Sequence, residues 1–530
     1  MNIAWWLETG ARNHPKKTAV VSPDGTGISY ADLNALSNKV GNDLRDRYGV
    51  LENDVVVTLA GEHAWHVAIM FGLWKIGAVF CPLNRTQNLN KFVHDIEITE
   101  PQLLLVDPTF AETGRQLMDA SPLKQVALLA DADGGLESFT GTAVAASDRL
   151  RMTPRANADL AIINFTTGTT GPSKGAMLPH GALVTSWMGG VHWSGMTSSD
   201  KVVCPLYMFH VGGLCILMTT LFAHGTVILV GEPWNSDRFL DALEQHRPDW
   251  VFLMVPVMTR DLARNPRFEN LDATGLKLYL AGEPVTPDVQ KMWEDRGART
   301  LILYGMTESM AVCVTCNSFY YGDDEWVGKG LVGTPNREFC EVRLIDPISG
   351  SEITEAGVQG EICFKGDVRT PGYYRDPERT RQTIDDDGWF HTFDLSCRDE
   401  NDYFTVGGRT DDIISSGGEK LALLEVESAI LKAPFVIDAA CVGVPHDRFG
   451  QSPAAFVVAS EEMTEQELLE TLHEYLLGEL ERWKRPRLYI KLDAIPRTVA
   501  KQSKIWPRLR EIVDGITLSG DGATTIGACR

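Results

Sequence analysis

The densest chemistry in the chain lies in ten consecutive residues, Thr166-Thr167-Gly168-Thr169-Thr170-Gly171-Pro172-Ser173-Lys174-Gly175. Small residues leave backbone N–H groups free to wrap an anion, hydroxyls add donors, and a lysine adds a point charge. The run follows an apolar stretch, 161–165, that reads as a buried strand. A surface linker would share the composition but not that position. The segment therefore reads as a cradle for a polyphosphate. It is not the G-x-x-x-x-G-K-[S/T] loop of nucleotide triphosphatases. Gly168 and Lys174 have that spacing, but Ser173 stands for the second glycine and Gly175 for the hydroxyl that would hold magnesium. A metal must then be held by a residue elsewhere in the chain.

The elements that must position this loop alternate between strand-like and helix-like runs. Strands are predicted at 55–59, 77–82, 103–106, 161–165, 250–255, 276–281 and 300–304, and a helix around Val67, Met70, Phe71 and Trp74. Several of these strands end in Gly, Thr, Ser or Pro, where open α/β sheets place their ligands. From Glu361 onward shorter alternating strands follow (360–364, 389–394, 403–408). After the polar run Gly407-Gly408-Arg409-Thr410-Asp411-Asp412 come a helix at 424–432, strands at 439–444 and 454–458, and a helix at 465–480. The expected fold is α/β: a large N-terminal domain of layered sheets and helices (1–409), then a small α+β C-terminal domain on a hinge (410–516). A Gly- and Thr-rich flexible tail (517–530) is expected to close the chain.

Lys and Arg total 49 against 71 Asp and Glu, a net charge of −22. That surface argues against nucleic acid and against anionic membranes as partners. It leaves open a small anionic ligand, which needs only a local cluster of donors. Of the ten cysteines, Cys313 and Cys316 form the only C-x-x-C, with no second pair at zinc spacing. Reduced thiols and a cytoplasmic location are expected. The first ten residues carry Glu8 and no basic residue, which makes a poor secretory signal. Residues 202–231 contain no Asp, Glu, Lys or Arg, but Pro205, His210, Gly212, Gly213, His224 and Gly225 interrupt them. The unbroken part is about half the ~20 residues a membrane span requires. A buried helix followed by a strand at 226–230 is predicted, and no membrane span.

The Thr/Gly loop resembles the signature T-[S/T]-G-[S/T]-[S/T]-G-x-P-K-G of the adenylate-forming superfamily, which holds acyl- and aryl-CoA synthetases, peptide-synthetase adenylation domains and firefly-type luciferases. Other segments resemble its motifs in order. They are Ile28-Ser29-Tyr30-Ala31-Asp32-Leu33, Lys75-Ile76-Gly77-Ala78, Met208-Phe209-His210-Val211-Gly212-Gly213, Ala281-Gly282-Glu283-Pro284, Tyr304-Gly305-Met306-Thr307-Glu308, Gly388-Trp389-Phe390-His391-Thr392-Phe393-Asp394 and Gly408-Arg409-Thr410-Asp411-Asp412. The resemblance implies ATP, Mg²⁺ and coenzyme A. It implies that Lys174 and the loop from Thr166 to Gly171 grip the phosphates, Thr307 donates to the α-phosphate, and Glu308 holds Mg²⁺. Gly282, Glu283, Pro284, Tyr304, Gly305 and Met306 would face adenine. Asp394 would accept the ribose hydroxyls, and Arg409 would contact ribose or phosphate. Tyr207, Phe209, Val211, Gly212 and Ala281, with His210, would face the acid. The small domain would turn about Asp411 and bring Gly417 and Gly418 to the thiol. Plainer readings stand beside these: Glu308 as a helix cap, Tyr304 as core, Asp394 as a turn former, Arg409 as a surface ion-pair partner, His210 as a core histidine.

Two departures from the pattern matter. Ser173 replaces the loop's usual Pro, which should loosen it. The closing P-[R/K]-T-x-x-G-K is irregular: strict counting from Pro496 places Gln502 at the lysine position, Lys504 needs a two-residue insertion, and Lys501 needs a deletion. Lys504 is favoured because a small residue precedes it and Ile505 follows. The implied activity is an ATP-dependent acyl-/aryl-CoA ligase working through acyl-AMP. The alternatives are an adenylating enzyme that loads a carrier-protein thiol, and an inactive ligand-binding relative. The segments 191–194, 207–213, 255–258 and 306–314 contain no Lys or Arg, so a small carboxylic acid with a neutral apolar tail is expected. A homodimer is compatible with the sequence.

Overall fold

The structure, a computed structural model, describes the chain apart from residues 167–172, 284, 311–314, 317–330, 348, 411–412, 417–418, 460–462, 498–503, 505, 520–523 and 526–530. Among the described residues, one sheet runs in the order Glu137–Ser138, Val126–Leu128, Leu103–Val106, Val55–Leu59, Val79–Pro82, Leu160–Thr166, Lys174–Pro179. Its neighbours are parallel except the last pair, an antiparallel hairpin. A second sheet runs Thr334–Pro335, Thr315–Cys316, Arg299–Tyr304, Lys277–Leu280, Trp250–Met254, Lys201–Cys204, Thr226–Leu229, Thr18–Val21, Gly27–Ser29. The predicted strands of the first 304 residues all lie in these two sheets. They read as continuous apolar runs because both faces of a parallel sheet are covered.

Helices Ala64–Ile76 and Val211–Phe222 join the two sheets into one apolar cluster. Every residue of Val211–Phe222 is buried, which accounts for the charge-free stretch around it. It is followed by the strand Thr226–Leu229, as predicted. Among the described residues no helix is long and apolar enough to cross a membrane. Trp74 donates its indole N–H to the Ala161 carbonyl at 2.9 Å, tying the first helix to the strand that feeds the Thr/Gly loop.

A third, antiparallel sheet follows: Glu352–Ile353, Cys340–Ile345, Gly360–Gly366, Phe390–Arg398, Phe404–Arg409. Sheet membership then changes. Ile413–Ser416 pairs with Glu419–Ala422 and Gly450–Ala459, in a sheet that also takes Val436–His446, Leu488–Lys491 and Thr524–Thr525. Helices Leu423–Leu431 and Glu465–Glu479 cover that sheet through Val426, Ile430, Leu468, Leu472 and Leu476. The architecture is thus an α/β N-terminal part and a smaller α+β C-terminal part. Within the segment expected to be a flexible tail, Leu518 is buried and bonded to Pro445, and Thr524–Thr525 pair with Leu488 and Tyr489.

Candidate active site

The hairpin of Leu160–Thr166 and Lys174–Pro179 sets Thr166 opposite Lys174 at the mouth of the loop. Thr167, Gly168, Thr169, Thr170 and Gly171 lie outside the described residues. The segment after the third sheet's central strand runs alongside the hairpin: Tyr374 N–H donates to the Gly175 carbonyl at 2.7 Å, and Met177 N–H to that of Gly372 at 3.0 Å. This places Tyr373 between two expected site residues. Its hydroxyl donates to Glu308 Oε1 at 2.7 Å, and the Lys174 ammonium lies 5.7 Å from its ring centre. Thr370 N–H holds the Glu308 carbonyl at 2.8 Å. Glu308 and Thr307 are buried in the short turn Thr307–Ser309 after the strand Arg299–Tyr304. Among the described residues Glu308 Oε2 accepts no hydrogen bond. Burial lowers the Lys174 pKa, as do the nearby guanidinium groups of Arg379 and Arg409, against Glu308 and Asp376.

Asp394 sits on Phe390–Arg398, in register with Arg409 of the neighbouring strand. Its Oδ2 accepts from the Tyr304 hydroxyl at 2.6 Å and its Oδ1 from Arg409 at 2.8 Å. Burial raises its pKa, and Arg409 opposes that shift. Each carboxylate oxygen has a second lone pair, so both can still accept from a diol. Phe393, directly before it, holds the left-handed φ of 60°, a conformation costly for a bulky residue. Glu361 Oε1 accepts the Phe393 N–H at 3.0 Å and lies 3.4 Å from His391 Nδ1, bracing this turn.

The acid-side motif forms a second wall. Tyr207 and Phe209 stack with ring centres 5.3 Å apart. Asn164, two residues before Thr166, donates its amide to the Phe209 carbonyl at 3.0 Å. Met208 N–H donates to Glu62 Oε1 at 3.2 Å. Glu62 belongs to a buried cluster in which Arg85 pairs with Glu232 and lies 3.7 Å from both Glu62 and Asp107. Burial pushes the Glu62 carboxyl up to about 8. His210 caps the helix Val211–Phe222: its Nδ1 accepts the Gly212 N–H at 2.9 Å, which leaves the ring proton of the neutral form on Nε2. Val211 is buried in the first turn. The motif's glycines are steric necessities. A Cβ on Gly213 would stand 2.1 Å from the Tyr207 carbonyl oxygen, and one on Gly212 2.9 Å from Leu206. Gly213→Ala is therefore expected to displace the 207–210 wall and raise the KM for the acid about tenfold or more. The KM for the nucleotide, measured in the same preparation, should change much less.

On the remaining side, Gly282 turns with φ 87° after the strand Lys277–Leu280, between half-buried Ala281 and Glu283. Gly305 and Met306, also half-buried, follow Tyr304. Arg497 of the C-terminal part is ion-paired with Asp438 at 2.9 Å and lies 3.9 Å from Glu283. The favoured Lys504 is engaged within its own domain: its ammonium lies 2.5 Å from Glu427 Oε2, and Glu427 Oε1 accepts the Cys441 N–H at 2.7 Å. Pro284, Asp411, Gly417, Gly418 and Lys501 lie outside the described residues.

The structure thus gathers Lys174, Glu308, Tyr304, Asp394 and Arg409 on one side and Tyr207, Phe209, His210 and Gly212 on the other. Sequence reasoning missed Tyr373, Thr370, Arg379, Glu62 and Asn164. Pro371-Gly372 marks a turn, but nothing in Thr370-Pro371-Gly372-Tyr373 says where its ring will land. The cations suit a polyphosphate, because an anion would relieve the mutual repulsion of Lys174, Arg379 and Arg409. Glu308, a hard oxygen donor beside them, suits Mg²⁺.

Comparison with known proteins identifies the family. The family model for AMP-binding enzyme matches residues 7–374, and that for AMP-binding enzyme C-terminal domain matches residues 425–501. Feruloyl-CoA synthase of Amycolatopsis sp is 32% identical over 497 residues, covering 93% of this chain and 95% of that protein. Indoleacetate–CoA ligase of Aromatoleum aromaticum is 28% identical over 504 residues, covering 94% and 96%. The crystal structure of ATP-bound MatB from Rhodopseudomonas palustris superposes with a TM-score of 0.86 at 30% identity, covering 97% of this chain and 99% of that one. Matched over most of its length in both sequence and fold, this chain belongs to the AMP-binding enzyme family.

Proposed function

We propose that the protein is an ATP-dependent acid–thiol ligase. It condenses a carboxylic acid with ATP to give acyl-AMP and pyrophosphate, then transfers the acyl group to coenzyme A and releases AMP. The observation that carries this reading is the shared strand Leu160–Thr166, which anchors the phosphate hairpin at Thr166 and the acid-side wall through Asn164. Two reactants held on one rigid element meet in a fixed orientation, which is the larger part of catalysis for a displacement at phosphorus. Lys174 places positive charge at the phosphates, and Asp394 with Tyr304 fixes the ribose. Mg²⁺, bound at Glu308, would neutralise charge on the phosphate oxygens. Thr307 donates to the α-phosphate, and Tyr373 orients Glu308. The change of sheet between Arg409 and Ile413 is where the C-terminal part turns, about Asp411, to exchange a lysine for Gly417 and Gly418 at the thiol.

The acid has a neutral, apolar tail, aryl or medium acyl. The stacked Tyr207 and Phe209 offer it a flat apolar face, and two relatives are named for feruloyl and indoleacetate groups, both aromatic. The test is a panel of carboxylic acids scored for acid-dependent pyrophosphate release with and without coenzyme A, with products read by mass spectrometry. Aryl acids are expected to give a CoA thioester, and dicarboxylic acids are not. Acyl-AMP without thioester would move the acceptor to a carrier-protein thiol, and no ATP consumption with any acid would end the reading.

A further inference from the structure

The site's least expected support is a carboxyl in an apolar cluster. Asp95, on the helix Leu89–Thr99, is wholly buried, and its neighbours Phe92 and Ile96 pack in the cluster that holds Ile163 and Phe165 of the strand feeding the loop. Its Oδ1 accepts a hydrogen bond from the hydroxyl of Ser173, itself buried, and among the described residues its Oδ2 has no hydrogen-bond partner. Burying a carboxyl with a single partner is costly, and burial raises this one to about 7. Packing alone would be served better by an apolar residue. Ser173 is the residue immediately before Lys174, and it stands where the resembling signature has Pro.

We infer that Asp95 is a positioning residue for the nucleotide: through Ser173 it pins the exit of the phosphate loop, and so fixes where the strand Lys174–Pro179 begins and where the Lys174 ammonium points. In this chain a hydrogen-bonded pair, Asp95 with Ser173, does what a proline ring does by restricting φ. The sequence alone suggests a looser loop, and the structure supplies the restraint from a helix that lies 78 residues earlier in the chain.

The inference rests on the proposed use of ATP, and its test separates the two. Wild-type enzyme that consumes ATP with an acid upholds the function. The inference then stands or falls on Ser173→Ala, Asp95→Leu, the double variant Asp95→Leu/Ser173→Ala and the swap Asp95→Leu/Ser173→Pro, each assayed for KM and kcat and for ATP binding by calorimetry. Ser173→Ala is expected to raise the KM and the Kd for ATP about tenfold, the scale of one hydrogen bond, with the KM for the acid unchanged. The double variant should be no worse than Ser173→Ala, because the two residues act as one pair. The swap, which installs the proline with an apolar neighbour, should return ATP affinity to within about twofold of wild type. An unchanged KM for ATP in Ser173→Ala overturns the inference, as do additive losses in the double variant or a rise confined to the acid. Should Asp95→Leu fail to fold, Ser173→Ala alone still decides.

Discussion

Glu308→Gln is expected to slow acyl-AMP formation about a hundred- to a thousandfold, the range seen when one group that offsets transition-state charge is removed. The amide keeps the shape of the side chain and can still accept from the Tyr373 hydroxyl, so the buried turn Thr307–Ser309 should stay folded. What is lost is the negative charge beside Lys174: a neutral amide oxygen replaces the anionic one proposed to hold Mg²⁺ and binds the cation more weakly. The plainer role as a cap is taken by another residue: Met306 N–H donates to Ser309 Oγ at 3.1 Å. Tyr373→Phe removes only the donor that orients the carboxylate and should cost about tenfold. Single-turnover pyrophosphate release with Mg²⁺ titrated separates the two effects. The Gln variant should need more Mg²⁺ as well as react more slowly. A loss under about tenfold with an unchanged Mg²⁺ requirement would remove Glu308 from the metal site.

The C-terminal lysines should divide by kind of damage. In Lys504→Ala the Glu427 carboxylate, buried and bonded to the Cys441 N–H, loses its counter-charge. Stranding a buried charge in this way costs about 3–5 kcal/mol, so the expected result is a lowered unfolding temperature for the C-terminal part. Lys501→Ala is expected to leave unfolding unchanged and to slow acyl-AMP formation about a hundredfold or more. Thioester formation from preformed acyl-AMP should survive it, since in the proposed mechanism the small domain carries the lysine away before the thiol attacks. Calorimetry of both variants, with the two half-reactions assayed apart, decides the matter. A Lys504→Ala enzyme that unfolds like wild type yet fails to adenylate would make Lys504 the active-site lysine, as the sequence pattern favours.

How much could be read from residues alone follows from the range of each interaction. The strands were legible because burial on both faces leaves an unmistakable apolar run, as at Val55–Leu59 and Leu103–Val106, which the structure reproduces to the residue. Lys174 and Glu308 were legible because their chemistry is rare in their surroundings. The neighbours that orient them were not. Tyr373 reaches Glu308 across 65 residues, and Asn164 reaches the Phe209 carbonyl across 45. Those side chains look ordinary until tertiary packing brings them to their partners. His210 fell between: its motif draws attention to it, but only the folded structure shows that Nδ1 is committed to a helix cap. The lysine ambiguity had another origin. Insertions in loops are energetically cheap, so counting from Pro496 could not choose between Lys501 and Lys504.

The amide of Asn164 has a practical corollary. On the proposed function, the acid-side wall and the phosphate hairpin hang from a common beam, so one amide sets where the bound acid lies relative to the reacting phosphate. A graft of residues 207–210 from a relative with a different preference will transplant that preference only if the carbonyl at position 209 still meets Asn164. Where it does not, the hybrid will still bind ATP but will hold its new acid out of line with the phosphorus, and a library scored only for turnover will discard it for the wrong reason.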